Sequence, residues 1–156
     1  MADNSSDNER IDFVIPWVDG SDPEWLKERN AVSSDIGKSV SSEGGSGSDS
    51  LKNGDSIEDN SGARYCSWDN LQYWFRGVEK FAPWVNKIHF VTWGHIPPWM
   101  NTDAPKLHIV NHKDYIPERF LPTFNSNTIE LNFHRIEGLS EKFVYFNDDV
   151  FLLMPA

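Results

Sequence analysis

The stretch IDFVIPWVDGSDP, residues 11–23, decides the predicted fold. Its first eight residues, 11–18, form a mostly apolar run that is typical of a buried β-strand. Residues 19–21 then interrupt the run. Asp22 can accept the free N–H groups of a first helical turn, and Pro23 has the backbone angle favoured at the first helical position. The stretch therefore predicts a strand, a turn and a helix in succession.

The rest of the chain continues this alternation of strand and helix patterns. The elements predicted after residue 63 are, in order, a helix capped by Ser67, strands over 87–92 and 106–110, a loop over 111–123, a helix from Asn127 to Gly138 and a strand over 143–146. In the first of these helices, Leu71, Trp74, Phe75 and Val78 are spaced to form one apolar face. Alternating strands and helices predict an α/β fold, with a mainly parallel sheet flanked by helices.

The length of 156 residues fits one domain with a hydrophobic core, which we place over residues 11–156. Residues 1–10 are predicted to be a disordered tail. Residues 33–63 are rich in Ser, Gly, Asp and Asn and cannot bury enough apolar area to offset the entropy cost of ordering them. We therefore expect a flexible loop there, with a lid over a substrate as the functional alternative.

The composition excludes several classes of function. With 14 basic and 24 acidic residues the net charge is −10, which argues against a surface that binds nucleic acid. Cys66 is the only cysteine, so no intramolecular disulfide can form and a reducing compartment is expected. The sequence has no apolar run of membrane-spanning length and no secretory signal pattern. We expect a cytoplasmic protein, either free or peripheral at the inner face of the cell membrane.

The run FVYFNDDVFL, residues 143–152, places Asp148 and Asp149 at the end of a predicted strand. Ligands of parallel sheets bind beyond the carboxyl ends of the strands, and one or two carboxylates suffice to hold Mg²⁺. Adjacent side chains leave a strand on opposite faces, so both reach one ion only if the backbone turns there. The alternative is that the two aspartates only form a turn and its hydrogen bonds.

Two further segments combine a structural and a functional interpretation. VDGSDP, residues 18–23, is either a turn with a helix cap or a backbone cradle for phosphate or nucleotide. LPTFNSNTIE, residues 121–130, is a helix start in which Asn125 and Ser126 either contact a ligand or serve the backbone.

Several isolated residues carry weaker signals. Arg64 and Arg76 are candidate phosphate partners, although most arginines on helices are simply solvated. His95 and His112 fall in polar loops, but no histidine spacing indicates a zinc site. Trp17 and the other tryptophans either pack in the core or stack on a base or sugar.

Three segments together resemble one family. IDFVIPWVDGSDPEW, RYCSWDNLQYWFRGVEKFAPWVNKIHFVTWGHIPPWMN and LPTFNSNTIELNFHRIEGLSEKFVYFNDDVFL cover 85 of the 156 residues. They resemble the Stealth family of sugar-phosphate transferases. That family includes bacterial capsular polysaccharide phosphotransferases and the catalytic subunit of the animal N-acetylglucosamine-1-phosphotransferase.

The resemblance implies transfer of a sugar 1-phosphate from a nucleotide-diphosphate sugar, commonly a UDP-hexose, to a hydroxyl of an acceptor glycan in capsule or exopolysaccharide synthesis. It also implies a Rossmann-like core similar to nucleotide-sugar glycosyltransferases, with Mg²⁺ or Mn²⁺ as cofactor. The roles it implies are metal binding for Asp148 and Asp149, catalysis for Asp19, Arg76, Asn125 and Asp148, and substrate binding for Trp17, Gly20, Ser21, Asp22, Arg64 and Ser126.

The sequence also departs from the family. Some members have Gln at the position of His95, and members continue beyond this chain into two further motif regions, one with a histidine suited to be the base. The core is therefore expected to be incomplete, with an exposed apolar edge that favours a homo-oligomer. The general base stays open between His112 and Asp19. The alternative functions are a nucleotide-sugar or metal binding module that needs a partner chain, and an ordinary glycosyltransferase.

Overall fold

The computed structural model describes residues 10–40 and 70–155. The chain divides into two compact units, one formed by Met1–Asp19 with Ser67–Ala156 and the other by Gly20–Cys66. Except for Arg10, the predicted tail lies outside the described residues, as does most of the predicted loop over 33–63. The single domain over 11–156 stays a prediction.

The first unit contains a four-stranded sheet in the order β3-β2-β1-β4, and every pairing in it is parallel. The strands are β1 (Ile11–Trp17), β2 (Ile88–Thr92), β3 (Leu107–Asn111) and β4 (Lys142–Tyr145). The predicted α/β fold with a parallel sheet is confirmed. On the outer strand β4, three apolar side chains are 37% to 40% exposed.

The helices are α1 (Pro23–Val40), α2 (Leu71–Phe81), α3 (His112–Tyr115) and α4 (Ser126–Leu131), together with 3-10 turns over Glu118–Phe120 and Phe133–Arg135. Helix α1 belongs to the second unit, and the other helices belong to the unit of the sheet. Within the described ranges, no helix has both the length and the hydrophobicity needed to cross a membrane.

Helix α1 begins as the sequence predicts. The Trp25 N–H donates to Asp22 Oδ1 over 2.8 Å, and Pro23 is the first helical residue. The helix continues to Val40, so its backbone includes residues 33–40, where we expected a loop. A helix that is already formed extends at little cost per residue, and it tolerates Gly37 at about 1 kcal/mol.

Helix α2 packs its predicted apolar face on the sheet. Leu71, Trp74 and Val78 are buried against Phe13, Ile15 and Phe90. The helix begins at Leu71 with Asn70 at its N-cap, and the predicted cap Ser67 lies outside the described residues. It ends before Ala82, as expected.

The opposite face of the sheet carries a second apolar cluster. Its members alternate along the strands with those of the first face, because successive side chains of a strand point to opposite sides. The buried residues of this cluster are Val14, Val91, Val110, Tyr115, Ile116, Phe133 and Ile136. The sheet is therefore covered on both faces, as parallel sheets generally are.

The predicted loop over 111–123 was wrong, because it contains α3 and a 3-10 turn. The Asn111 side chain accepts from Lys113 N over 3.2 Å, and the Asp114 side chain accepts from Asn111 N over 2.8 Å. This capping box begins α3 immediately after β3. The sequence signal was the spacing of Asn111 and Asp114.

The helix predicted from Asn127 to Gly138 was also wrong in its bounds. Its cap is Asn125, and α4 ends at Leu131 before a separate 3-10 turn. At the break, the Asn132 side chain donates to the Thr128 carbonyl over 2.8 Å. Asparagine side chains compete with the helical backbone in this way, which explains the interruption.

A buried carboxylate, Asp12, joins the amino ends of the strands. Its Oδ1 accepts from Asn86 Nδ2 over 2.7 Å and from Lys87 N over 3.0 Å. Its Oδ2 accepts from Ser140 N over 2.8 Å and lies 3.0 Å from His89 Nε2. Burial alone would raise the pKa of Asp12, but these hydrogen bonds together lower it.

The Asp12 contact extends to a third strand through two histidines. His89 Nδ1 lies 3.0 Å from His108 Nδ1. His89 gives its Nε2 proton to Asp12, so in the neutral ring Nδ1 is an acceptor and His108 Nδ1 is the donor. Burial is the main cause that lowers the pKa of His89, which favours this neutral form. The chain Asp12, His89, His108 therefore links β1, β2 and β3.

We expect Asp12→Asn to lower the free energy of unfolding by about 3 kcal/mol, because an amide group cannot accept from donors on both of its sides. Urea unfolding followed by tryptophan fluorescence measures this loss. Asp103→Asn makes the same chemical change at an exposed position and serves as the control. A loss at Asp12 no larger than that of the control would contradict the role of Asp12.

Candidate active site

The order of the strands identifies one edge of the sheet as the place for a ligand. From β1 the chain winds through β2 to β3, and β4 then joins the other side of β1. The winding therefore reverses between β1 and β4, and ligands of such sheets bind at the carboxyl ends next to this reversal. Asp19 follows β1, and Asp148 and Asp149 follow β4. The fold thus brings these predicted site residues to the same edge.

The chain turns at the aspartate pair. Phe146 N donates to Val14 O as β4 leaves the sheet, and Val150 N donates over 3.1 Å to Asn147 O to close the turn. Phe146 is buried on the α2 side of the sheet, and Phe151 and Leu152 pack against the same cluster. The turn is held between two apolar anchors, and the backbone turns at the pair, as we required for both carboxylates to reach one ion. That they share an ion stays a prediction.

The second anchor, Leu152, contacts helix α2 at Gly77. A Cβ atom at Gly77 would lie 3.0 Å from the backbone oxygen of Leu152. The absence of a side chain at Gly77 therefore allows this close approach. The segment after the turn is thereby fixed to α2.

Asp148 and Asp149 repel each other electrostatically. The pKa of Asp148 is raised, first by partial loss of solvent and then by the charge of Asp149. In the part of the chain that the structure describes, neither aspartate makes an ion pair. A divalent cation would relieve this repulsion, so the residues present fit such an ion.

The two carboxylates do not form a complete metal cage. Within residues 10–40 and 70–155 there is no group of three or more His, Cys, Asp or Glu side chains able to hold a metal ion. A cation at Asp148 and Asp149 would therefore take most of its ligands from water or substrate oxygens. Mg²⁺ usually binds in this way beside phosphates.

Tyr145 is a residue of this edge that the sequence reasoning missed. Its hydroxyl donates to Glu130 Oε1 over 2.9 Å and also contacts the Asn147 side chain. Burial and the charges of Glu130, Asp148 and Asp149 raise the pKa of Tyr145, so the phenol stays protonated. No local sequence signal joins Tyr145 to Glu130, because the contact links β4 to α4 across the fold.

The two candidates at the start of α4 have different surroundings. Asn125 Oδ1 accepts from Asn127 N over 2.8 Å and from Thr128 N over 3.4 Å. This oxygen serves the backbone, as one of our two interpretations held. Ser126 is the exposed first residue of the helix. Ligand contacts by either residue stay predictions.

In the described residues, no contact joins Arg76 to the aspartate turn. The Arg76 guanidinium lies 5.5 Å from the centre of the Tyr73 ring. Both residues are exposed on α2, away from the buried positions Trp74 and Val78. Arg64 lies outside the described residues.

The remaining predicted contacts follow β1. The centres of the Trp17 and Phe90 rings lie 5.8 Å apart, so the Trp17 side chain packs against the core. Gly20 and Ser21 lie in the turn before α1, in the second unit, and Asp22 caps that helix. Their predicted contacts with substrate are not tested by these observations.

Two family models match the sequence. The model described as Stealth protein CR1, conserved region 1, matches residues 9–37, and the model described as Stealth protein CR2, conserved region 2, matches residues 64–156. The second match alone covers more than half of the chain. The chain belongs to the Stealth family.

Bacterial relatives of this Stealth protein carry related names. The capsular polysaccharide phosphotransferase WcwK of Streptococcus pneumoniae is 49% identical over 91% of this chain and 38% of its own length. The capsular polysaccharide phosphotransferase eps5J of Streptococcus thermophilus is 45% identical over 94% of this chain and 55% of its own. The receptor polysaccharide phosphotransferase WefC of Streptococcus oralis is 44% identical over 94% of this chain and 40% of its own length. The chain thus spans 38% to 55% of these relatives.

Two histidines lie at the carboxyl edge of the Stealth sheet. His95 Nε2 accepts from the backbone N–H of Asp19 over 2.7 Å. His112 is 8% exposed, and within residues 10–40 and 70–155 its buried Nδ1 has no hydrogen-bond partner. Burial, and secondarily His95, lower the pKa of His112 to about 4. The His112 ring is therefore neutral at neutral pH.

The lowered pKa of His112 predicts acid destabilisation. The folded value of about 4 lies below the ordinary value of 6.5, so the unfolded chain takes up this proton first. The contribution of neutral His112 to stability is complete above pH 6.5 and is lost as the pH falls through 4. Between pH 6.5 and pH 4 the wild type should lose more unfolding free energy than His112→Phe does. We expect the difference between the two losses to be about 3 kcal/mol at most.

Urea unfolding at the two ends of this pH range measures the difference. His134→Phe replaces an exposed histidine and is the control. Equal acid losses in the wild type and in His112→Phe would show that His112 is not the group that takes up the proton.

Proposed function

We propose that this Stealth chain takes part in transferring a sugar 1-phosphate from a nucleotide-diphosphate sugar to a hydroxyl of an acceptor glycan, in capsule or exopolysaccharide synthesis. The observation that carries the proposal is the turn with Asp148 and Asp149. It provides two carboxylates without a cationic side-chain partner in the described residues, at the edge where a parallel sheet binds ligands. The names of the relatives support a phosphotransfer reaction.

Asp148 and Asp149 would hold Mg²⁺ or Mn²⁺ together with oxygens of the donor diphosphate. The cation would supply neutralisation of the negative charge on the transferred phosphoryl group. The protein itself contributes the rigid turn, which is fixed by Phe146 and Leu152, and Tyr145, whose hydroxyl joins this edge to Glu130.

The reaction exchanges one phosphorus–oxygen bond for another. The acceptor hydroxyl oxygen forms a bond to the sugar-bearing phosphorus, and the bond from that phosphorus to the bridging oxygen of the diphosphate breaks. The products are a phosphodiester and a nucleoside monophosphate. The proton of the acceptor hydroxyl has to leave to a base.

Of the two candidate bases, we propose Asp19. His112 is buried, which withdraws its ring from a substrate hydroxyl. Asp19 is half-buried and follows β1 at the same edge as the aspartate turn. A carboxylate can accept a proton that is lost as the phosphoryl group is transferred.

The products of one assay test the proposal. The chain is incubated with UDP-hexoses, Mn²⁺ and an oligosaccharide acceptor, and the nucleotide released is identified. Release of UMP together with a phosphodiester product supports the proposal. Release of UDP indicates a glycosyltransferase instead, and binding of the UDP-sugar without either product indicates a binding module that needs a partner chain.

We expect Asp149→Asn to weaken Mn²⁺ binding at least about tenfold, because the ion loses one of two carboxylates. The exposed position should leave the unfolding free energy within about 0.5 kcal/mol of the wild type. Calorimetric titration with Mn²⁺ and urea unfolding measure the two effects. Asp103→Asn is the matched control.

A second measurement on Asp149→Asn needs no metal. Because the charge of Asp149 helps to raise the pKa of Asp148, that pKa should fall in the variant. NMR titration of the Asp148 carboxyl carbon measures this pKa in the wild type and in the variant. An unchanged Mn²⁺ affinity would refute the metal site even if the pKa of Asp148 falls.

A further inference from the structure

The segment after β2, residues 93–95, is held by side chains at the ends of two strands. Thr92 Oγ1 donates to the His95 carbonyl over 2.6 Å and accepts from Gly94 N over 3.3 Å. Asn111 Nδ2 donates to the Trp93 carbonyl over 2.9 Å. Gly94 has a φ of +148°, a conformation that side chains disfavour. The backbone that carries His95 is therefore fixed relative to β2 and β3.

The His95 ring is positioned as firmly as its backbone. It lies edge-on to Trp17, with ring centres 5.2 Å apart, and 5.7 Å from the Trp93 ring. This packing directs Nε2 at the Asp19 N–H, 2.7 Å away. The contact joins the segment after β2 to the residue that follows β1.

The partner atom determines the protonation of His95. A backbone N–H can only donate, so Nε2 must present its lone pair, and the neutral ring carries its proton on Nδ1. A side-chain partner would leave this assignment open, but the amide of Asp19 does not. The His95 ring also helps to lower the pKa of His112.

We infer that His95 is a positioning residue for the transfer reaction. Its Nε2 fixes the backbone at Asp19 and so sets where the Asp19 carboxylate stands at the carboxyl edge. The inference rests on the proposed function, in which Asp19 acts on the acceptor hydroxyl beside the donor diphosphate. A hydrogen-bond acceptor at this position, rather than an imidazole as such, is what the geometry requires.

The hydrogen bond itself is tested by NMR on the ¹⁵N-labelled full chain. We expect the ¹⁵N resonance of His95 Nε2 to be that of an unprotonated ring nitrogen, with a scalar coupling to the Asp19 amide nitrogen. A protonated Nε2, or no coupling in a well-resolved spectrum, would overturn the inference. This readout does not depend on any ligand.

Two substitutions of similar size test the positioning role. His95→Gln keeps an acceptor in its side-chain carbonyl, whereas His95→Leu removes the acceptor. With UDP-glucose and Mn²⁺ as the probe, together with an oligosaccharide acceptor, we expect His95→Leu to lower the rate of UMP release about tenfold or more. His95→Gln should stay within about threefold of the wild type.

The outcomes separate the two proposals. Equal rates in His95→Leu and the wild type, or equal losses in both variants, would overturn the positioning role. Recovery of the rate by Gln alone, with unfolding midpoints of the two variants alike, supports it. If the wild type releases no UMP, the proposed function fails and the role of His95 in it fails too, while the NMR coupling still reports whether the hydrogen bond exists.

Discussion

The buried carboxylate of Asp12 is the interaction on which the architecture of the sheet depends. The groups that contact it come from the segment before β2, from β2 itself and from the segment before β4. A buried charge is stable only when its oxygens are fully hydrogen-bonded. The carboxylate therefore requires β2 and the approach to β4 to be in place on both sides of β1.

The carboxylates at the two ends of the sheet differ in burial and in hydrogen bonding. At the amino end, Asp12 and His89 are fully buried and bonded to each other. At the carboxyl end, Asp148 and Asp149 are exposed and mutually repelling, and they lie on a turn held by apolar residues on either side. The first arrangement stabilises the fold. The second stores unfavourable electrostatic energy, which a cation can relieve, and this difference indicates the candidate site.

The carboxyl edge is built from segments that are distant in sequence. His95 connects the segment after β2 to Asp19, and Tyr145 connects β4 to α4 through Glu130. Each contact is a short, directional hydrogen bond, so a shift of one segment changes the position of the segment bonded to it. The proposed transfer reaction depends on in-line positioning of two substrates, which hydrogen bonds between these loops would support.

The sequence by itself determined the strand, turn and helix at residues 11–23, the apolar face of α2, the parallel α/β class and the family resemblance. These follow from local rules, because periodicity and helix caps act over a few neighbouring residues. The predicted boundaries were wrong where we overlooked a side chain that hydrogen-bonds to the nearby backbone. These side chains are Asn111 and Asp114, which form the capping box of α3, and Asn132, which ends α4.

Only the tertiary structure decided that Asp12, His89 and His108 form one buried chain, and that Tyr145 and His95 belong to the candidate site. The sequence separations of these contacts range up to 77 residues, between Asp12 and His89. The order of the strands brings such residues together, and no local pattern encodes that order. The aspartate pair was visible in the sequence, but its position beside β1 was fixed by the pairing of β4 with β1.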